Sequence, residues 1–216
     1  MTQPHLILGN ARYSSWSMRP FLVFRRAGLE FTTEFLPLRT DMFRSRMAGI
    51  SPFALVPAMR LGDDVIGDSL AIAEWVAEQY PSLWPSDDVQ RARARMLTGQ
   101  MHAGFMALRR EMPMDLFHRA EPASPPGEDV MKDISRLSAA WGQALESSGG
   151  PFLFGDWSIA DAFYTPVAAR FRSYGVDLPE PLQSYCEHLL KQPEFLEWEA
   201  IARKETWVIE DYLPQP

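Results

Sequence analysis

The first eighty residues alternate short apolar runs with amphipathic stretches. His5-Leu6-Ile7-Leu8, followed by the turn residues Gly9-Asn10, reads as a strand. Phe21, Leu22, Val23 and Phe24 supply the buried surface of a helix predicted from Met18 to Ala27, with Gly28 as its stop. Ser17 is the expected N-cap, which puts Pro20 in the first turn, where its missing N–H costs little. Phe31 and Phe35 fall at period-two spacing within Phe31-Thr32-Thr33-Glu34-Phe35-Leu36, a second strand. Ala58–Leu61 and Val65–Gly67 flank Gly62-Asp63-Asp64 and predict a hairpin. Ser69 is expected to cap a helix carrying Ile72, Trp75, Val76 and Tyr80. The pattern is that of a small α/β unit with a mixed sheet.

The character changes near residue 80. Tyr80-Pro81-Ser82-Leu83-Trp84-Pro85-Ser86 is a proline-punctuated linker, and strand patterning stops there. A long helix is predicted from Asp87 or Asp88 to about Glu111, with Met96, Met101, Phe105 and Leu108 among its apolar positions. The loop Glu121–Gly127 separates it from a helix bearing Val130, Ile134, Leu137 and Trp141. Further helices are predicted at Ser158–Phe171, Leu182–Lys191 and Glu194–Arg203, the first bent at Pro166. The second part is therefore expected to be all helical.

Composition narrows the chemistry. The 216 residues carry a net charge of −7, which argues against non-specific nucleic-acid binding. No apolar run has the length of a bilayer span, and the N-terminus lacks a secretory pattern. Cys186 is the sole cysteine, which excludes an internal disulfide, and the four histidines show no ligand spacing. A cytoplasmic protein without a structural metal is expected.

The candidate chemistry lies in Ser14-Ser15-Trp16-Ser17-Met18-Arg19-Pro20, a hydroxyl cluster between the first strand and helix. Helix N–H groups and the positive end of the helix dipole converge near Ser14 and Ser15, a setting for an anion such as a thiolate. Capping and turn formation are the plain alternative use of these serines. A free thiol of pKa ~8.5 is only ~3% ionised at pH 7; lowering that pKa by about two units requires ~2.7 kcal/mol. One charge-assisted hydrogen bond of ~1.5–3 kcal/mol, aided by a helix N-terminus, is of that size.

With these motifs in order, the chain resembles a cytosolic glutathione transferase over nearly its full length. The serine segment resembles that of zeta- and tau-class members. Leu55-Val56-Pro57 resembles the cis-proline segment before the third strand, Asp68-Ser69 the acidic-Ser pair opening the third helix, and Ser158-Ile159-Ala160-Asp161 a helical-domain capping motif. The resemblance implies a thioredoxin-like domain (1–80) that binds glutathione, then an all-α helical domain (87–216) contributing the electrophile pocket. It implies Ser14 as the thiolate donor, since Ser14, Ser17 and Arg19 reproduce the family spacing, with Ser15 as the close alternative. Val56, preceding Pro57, would pair through its main chain with the cysteinyl backbone; Ser69 and Asp68 would receive the γ-glutamyl end.

For the glycyl carboxylate, Arg39, Arg44 and Arg46 are available and no spacing selects one. Met101, Phe105, Met106 and Arg109 are candidates for an electrophile pocket closed by Trp207 or Tyr212, although such a stripe equally forms core. Arg109-Arg110 would suit an acidic substrate. Ser158 and Asp161 suit a capping box and so belong to folding. Cys186, late in the chain, fits a small buried hydrophobe rather than a redox thiol. The resemblance further implies a homodimer. Two rival activities are a maleylacetoacetate isomerase-like reaction, although Trp16 stands where that class commonly has Cys, and non-catalytic binding.

Overall fold

The computed structural model describes residues 2–119 and 126–209. Four strands form one mixed sheet: β1 (His5–Gly9), β2 (Thr32–Leu36), β3 (Ala58–Leu61) and β4 (Asp64–Ile66), in the order β2-β1-β3-β4. β1 runs parallel to β2, with Leu6 opposite Thr33, and antiparallel to β3, with Leu6 opposite Met59. β3 and β4 form the predicted hairpin, Arg60 opposite Val65. Leu6 and Leu8 face one core and Ile7 the other, so β1 is apolar at successive positions because both its faces are covered.

Three helices cover the sheet. α1 (Ser15–Ala27) ends at Gly28, whose φ of +66° is a left-handed turn that glycine accepts without a Cβ clash. Its N-cap is Ser14 rather than Ser17, because the Ser14 hydroxyl accepts the Ser17 N–H at 3.2 Å. Pro20 consequently lies inside the helix instead of in its first turn. α2 (Asp41–Ala48) covers the opposite face and is absent from the sequence expectation. It buries only Met47, too little apolar surface to leave a periodic signal, and is started by Thr40, whose hydroxyl accepts from Phe43 N–H. α3 (Ser69–Gln79) is capped by Asp68, whose carboxylate reaches both Leu70 and Ala71 N–H, not by Ser69.

Beyond a short 3-10 turn at Pro81–Leu83, the described residues are mostly helical, with isolated β-bridges at Phe152–Gly155 and Phe154–Asp156. The helices are α4 (Asp88–Ala103), α5 (Met106–Glu111), α6 (Glu128–Ser148), α7 (Ile159–Tyr174), α8 (Leu182–Leu190) and α9 (Pro193–Ala202). The single long helix expected to Glu111 is broken at Gly104-Phe105. Gly104 closes α4 in an extended conformation, and a Cβ there would stand 2.8 Å from Gln100 O. Most of the predicted loop Glu121–Gly127 lies outside the described residues. α7 continues through Pro166, and the Ser158–Asp161 capping box forms as expected.

Both halves share one core, in which Met18, Phe21 and Phe24 of α1 join Trp141, Phe163 and Trp198. Polar ties cross the same boundary: Trp198 Nε1 donates to Ala11 O at 2.8 Å, and Arg12 forms a fork with buried Asp115 at 2.6 and 2.7 Å. The Glu205 carboxylate accepts from Ala11 and Arg12 N–H at 2.6 and 3.1 Å. The loop leading into Ser14 is thus gripped by the helical half.

Candidate active site

A cleft of about 560 Å³ opens where the two halves meet. The N-terminal half contributes Tyr13, Ser14, Ser15, Trp16, Leu38, Arg39, Phe43, Leu55 and Val56. The helical half contributes Arg109, Pro113, Met114, Arg170 and Ile209. A larger groove of about 710 Å³ lies between the end of α6 and α8 and contains none of the candidate residues.

Ser14 and Ser15 are each 5% exposed. The Ser14 hydroxyl donates to Ser17 Oγ at 2.8 Å, and Ser17 Oγ accepts Gly9 N–H at 2.9 Å. Hydroxyl protons rotate, so Ser17 can equally donate to Ser14 and free the Ser14 proton for the cleft. Ser15 is held from the other side. Arg170, on α7, donates through Nη2 to Ser15 Oγ at 3.1 Å, through Nε to Met112 O at 2.8 Å and through Nη1 to Pro166 O at 3.3 Å. A cationic donor on Ser15 Oγ polarises its O–H and leaves that proton available.

Arg109 makes the wall between them cationic. Its guanidinium stacks over Trp16 at 4.6 Å, donates to Gly104 O at 2.9 Å, and also bonds Met101 O. Burial holds the Arg109 pKa below its ordinary value. Of the described residues expected from sequence to line a pocket, only Arg109 lines the cleft. Met101 is core, Phe105 packs against the core, and Met106 is 65% exposed. From the tail, Ile209 faces the cleft rather than Trp207, while Tyr212 lies outside the described residues.

The three arginines left open by the sequence separate. Arg39 lines the cleft; Arg44 pairs with Asp41, and Arg46 makes two 2.8 Å bonds with Glu34.

Val56–Pro57 is cis, and Val56 reaches the cleft, but Pro57, Asp68 and Ser69 are not among its lining residues. Asp68 spends Oδ1 on the α3 cap and places Oδ2 3.3 Å from His102 Nε2. Ser69 is 1% exposed, and its hydroxyl has no hydrogen-bond partner among the described residues. That orphaned buried hydroxyl fits a site for an acceptor-rich ligand group.

Arg170 was not singled out from sequence, although one signal existed: a charge inside a helix buried at nearly every position. Cys186 is buried as expected, and burial pushes its thiol up to about 12, which removes it from redox chemistry at neutral pH. Among the described residues no group of three His, Cys, Asp or Glu could hold a metal ion, and no helix is long and apolar enough to cross a membrane.

Comparison with known proteins is consistent with this geometry. Residues 13–79 match the family model for the glutathione S-transferase N-terminal domain, and residues 91–200 that for the C-terminal domain. A zeta-class glutathione S-transferase of Euphorbia esula is 29% identical over 204 residues, covering 89% of each chain. A probable maleylacetoacetate isomerase of Caenorhabditis elegans is 28% identical over 167 residues, covering 76% of this chain and 77% of that one. Among solved structures, a Burkholderia glutathione transferase homolog with bound glutathione superposes with a TM-score of 0.74 at 24% identity, covering 94% of this chain and all of that one.

Proposed function

The chain belongs to the glutathione S-transferase family, and on that premise we propose that it activates glutathione as a thiolate for attack on an electrophile. The observation that carries this reading is the position of two buried hydroxyls, Ser14 and Ser15, at the start of α1 in a cleft walled by Arg109 and Arg170. When bound, glutathione supplies a nucleophilic sulfur, which stays on the electrophile in conjugation or is expelled again in isomerisation.

We assign Ser14 as the group that donates to the sulfur, backed by Ser17 and the Gly9 N–H, with Ser15 as the second donor. Val56 would bind the cysteinyl backbone through its main chain, Asp68 and Ser69 the γ-glutamyl end, and Arg39 the glycyl carboxylate. The binding unit on this reading is residues 1–80, with 87–216 as the helical unit that holds the electrophile. A homodimer, a cytoplasmic location and a detoxifying role follow from the family precedent.

A second reading is favoured by the cleft's charge. Arg109 and Arg170 suit an acidic electrophile, and the isomerase relative supports a glutathione-dependent cis–trans isomerisation of an unsaturated diacid. Incubation with glutathione and either a neutral aryl halide or a cis-dienoic diacid separates the two. Conjugation consumes glutathione stoichiometrically; isomerisation returns it. Absence of glutathione-dependent turnover with both, together with no binding to immobilised glutathione, contradicts the whole reading.

A further inference from the structure

The interface between the halves holds a cation that the site just described does not use. Arg19 follows Ser15 by one helical turn, so both side chains leave α1 on the same face. It is 0% exposed, with its guanidinium 4.2 Å from the Trp16 ring centroid and 4.7 Å from that of Phe163. Its Nε, Nη1 and Nη2 have no hydrogen-bond partner among the described residues. An arginine is almost never fully buried unless paired, because its desolvation is costly.

The groups around it do not offset that cost. Burial pushes its pKa well down, and Arg109 of α5 and Arg170 of α7, which repel it, act in the same direction. Tyr164 of α7 and Asp68 before α3 act the other way. Asp68 is the one carboxylate in that set, and its Oδ1 already serves two N–H groups of α3. His102 of α4 stacks edge-on against Trp16 at 5.2 Å and faces Asp68. Around Arg19, therefore, the two cations Arg109 and Arg170 outnumber the one carboxylate, Asp68.

We propose that Arg19 is a buried counter-charge for the anionic sulfur of glutathione, kept in the fold at a cost to the stability of the free protein. The inference rests on the glutathione reading and assigns a residue to it. Arg19 acts by its field across Trp16 and the Ser15–Arg170 pair, where low dielectric and exclusion of salt leave that field little screened. Aromatic rings on two sides hold the guanidinium without supplying an anion, which leaves its charge for the ligand.

The test is Arg19→Met, which keeps length and packing and removes charge. Three quantities are compared with the parent: Tm of the free protein, the pKa of bound glutathione's thiol from its ultraviolet thiolate absorbance, and Kd for S-methylglutathione. That last probe carries both carboxylates of glutathione but no ionisable sulfur. The expected result is a Tm equal to or above the parent's, since an unpaired buried charge has been replaced by an apolar isostere. The thiol pKa should rise by about one unit or more, a tenfold loss of thiolate below that pKa. Kd for S-methylglutathione should stay within about threefold.

An unchanged thiol pKa, a lower Tm, or a variant too unstable to purify overturns the proposal. A tenfold weaker S-methylglutathione complex also overturns it, by assigning Arg19 to a carboxylate. Should the parent itself show no thiolate on binding glutathione, the functional reading fails and this inference with it. A thiolate in the parent that persists unaltered in Arg19→Met defeats this inference alone.

Discussion

Arg170 Nη2 donates to Ser15 Oγ across 3.1 Å, so a side chain of α7 touches the first residue of α1. The same guanidinium is fixed by carbonyls of Met112 and Pro166, and it is 4% exposed. A group held this firmly in the helical half sets the orientation of a hydroxyl in the other half. Its charge also faces the cleft between the halves.

Arg170→Met should therefore separate substrates. With an acidic electrophile, kcat/KM is expected to fall by about 10²-fold, the loss of a charge-assisted contact of ~1.5–3 kcal/mol plus disturbance of Ser15. With a neutral electrophile the loss should be several-fold smaller. Parallel kinetics on the two substrate types check this, and equal losses on both would remove Arg170 from substrate recognition.

Asp115 anchors the loop ahead of Ser14 through its fork with Arg12 and its bond to Phe117 N–H. Asp115→Ala leaves a partly buried guanidinium unpaired, and should cost about 2–3 kcal/mol in urea unfolding, below the full buried-pair value because Arg12 retains some solvent. Glutathione-dependent kcat should fall as well, since the loop positions the serines. Loss of stability with unchanged kcat would show that the loop holds its shape without the fork.

Ser158→Ala should cost about 1 kcal/mol, because losing the capping-box hydroxyl leaves an N–H of the first turn of α7 without its acceptor. Its partner Asp161 gives a pH signature. Burial raises the Asp161 carboxyl from 3.8 to about 6, opposed by hydrogen bonds from Ser158, Leu153 and Tyr185. Between pH 4 and 6 the folded state then holds a proton that the unfolded chain has released, so this group's contribution to stability falls as pH rises through that window. Above it the contribution is constant. Urea midpoints measured from pH 4 to 7 should show that decline in the parent and lose it in Asp161→Asn; an identical slope in both would assign the pH dependence elsewhere.

The elements legible in the sequence were those whose burial repeats. β1 and α1 could be placed because Leu6, Ile7, Phe21 and Phe24 are buried at the spacing their elements require. α2 was invisible because eight residues with one buried side chain carry no period. The break at Gly104 escaped because Met101, Phe105 and Leu108 keep helical spacing across it, while the cause is the backbone conformation of two residues. Both misplaced caps, Ser17 for Ser14 and Ser69 for Asp68, arise where residues one to three positions apart can each accept an N–H and only the backbone decides.

The site was half legible. Ser14, Ser15 and Val56 meet in one cleft, as their motifs suggested, but the arginines opposite them come from distant helices. Arg39 could not be told from Arg44 and Arg46 by spacing; the cleft lining, which includes Arg39 and neither of the other two, distinguishes them.

Removing the Ser14 hydroxyl should also weaken the α1 cap by about 1 kcal/mol, because Ser17 N–H loses its acceptor. Thermal unfolding of Ser14→Ala against Ser15→Ala measures this, and only the first should show the capping loss. An equal loss in both would place the stabilising role in packing of the segment.

Titration of the bound thiol tests the central claim most directly. Ultraviolet thiolate absorbance of the glutathione complex, followed against pH, should give an apparent thiol pKa about two units below that of free glutathione. Ser14→Ala should return most of that difference, Ser15→Ala a smaller part, and the double variant all of it. A thiol pKa in the double variant equal to the parent's, with conjugation turnover intact, would contradict the account.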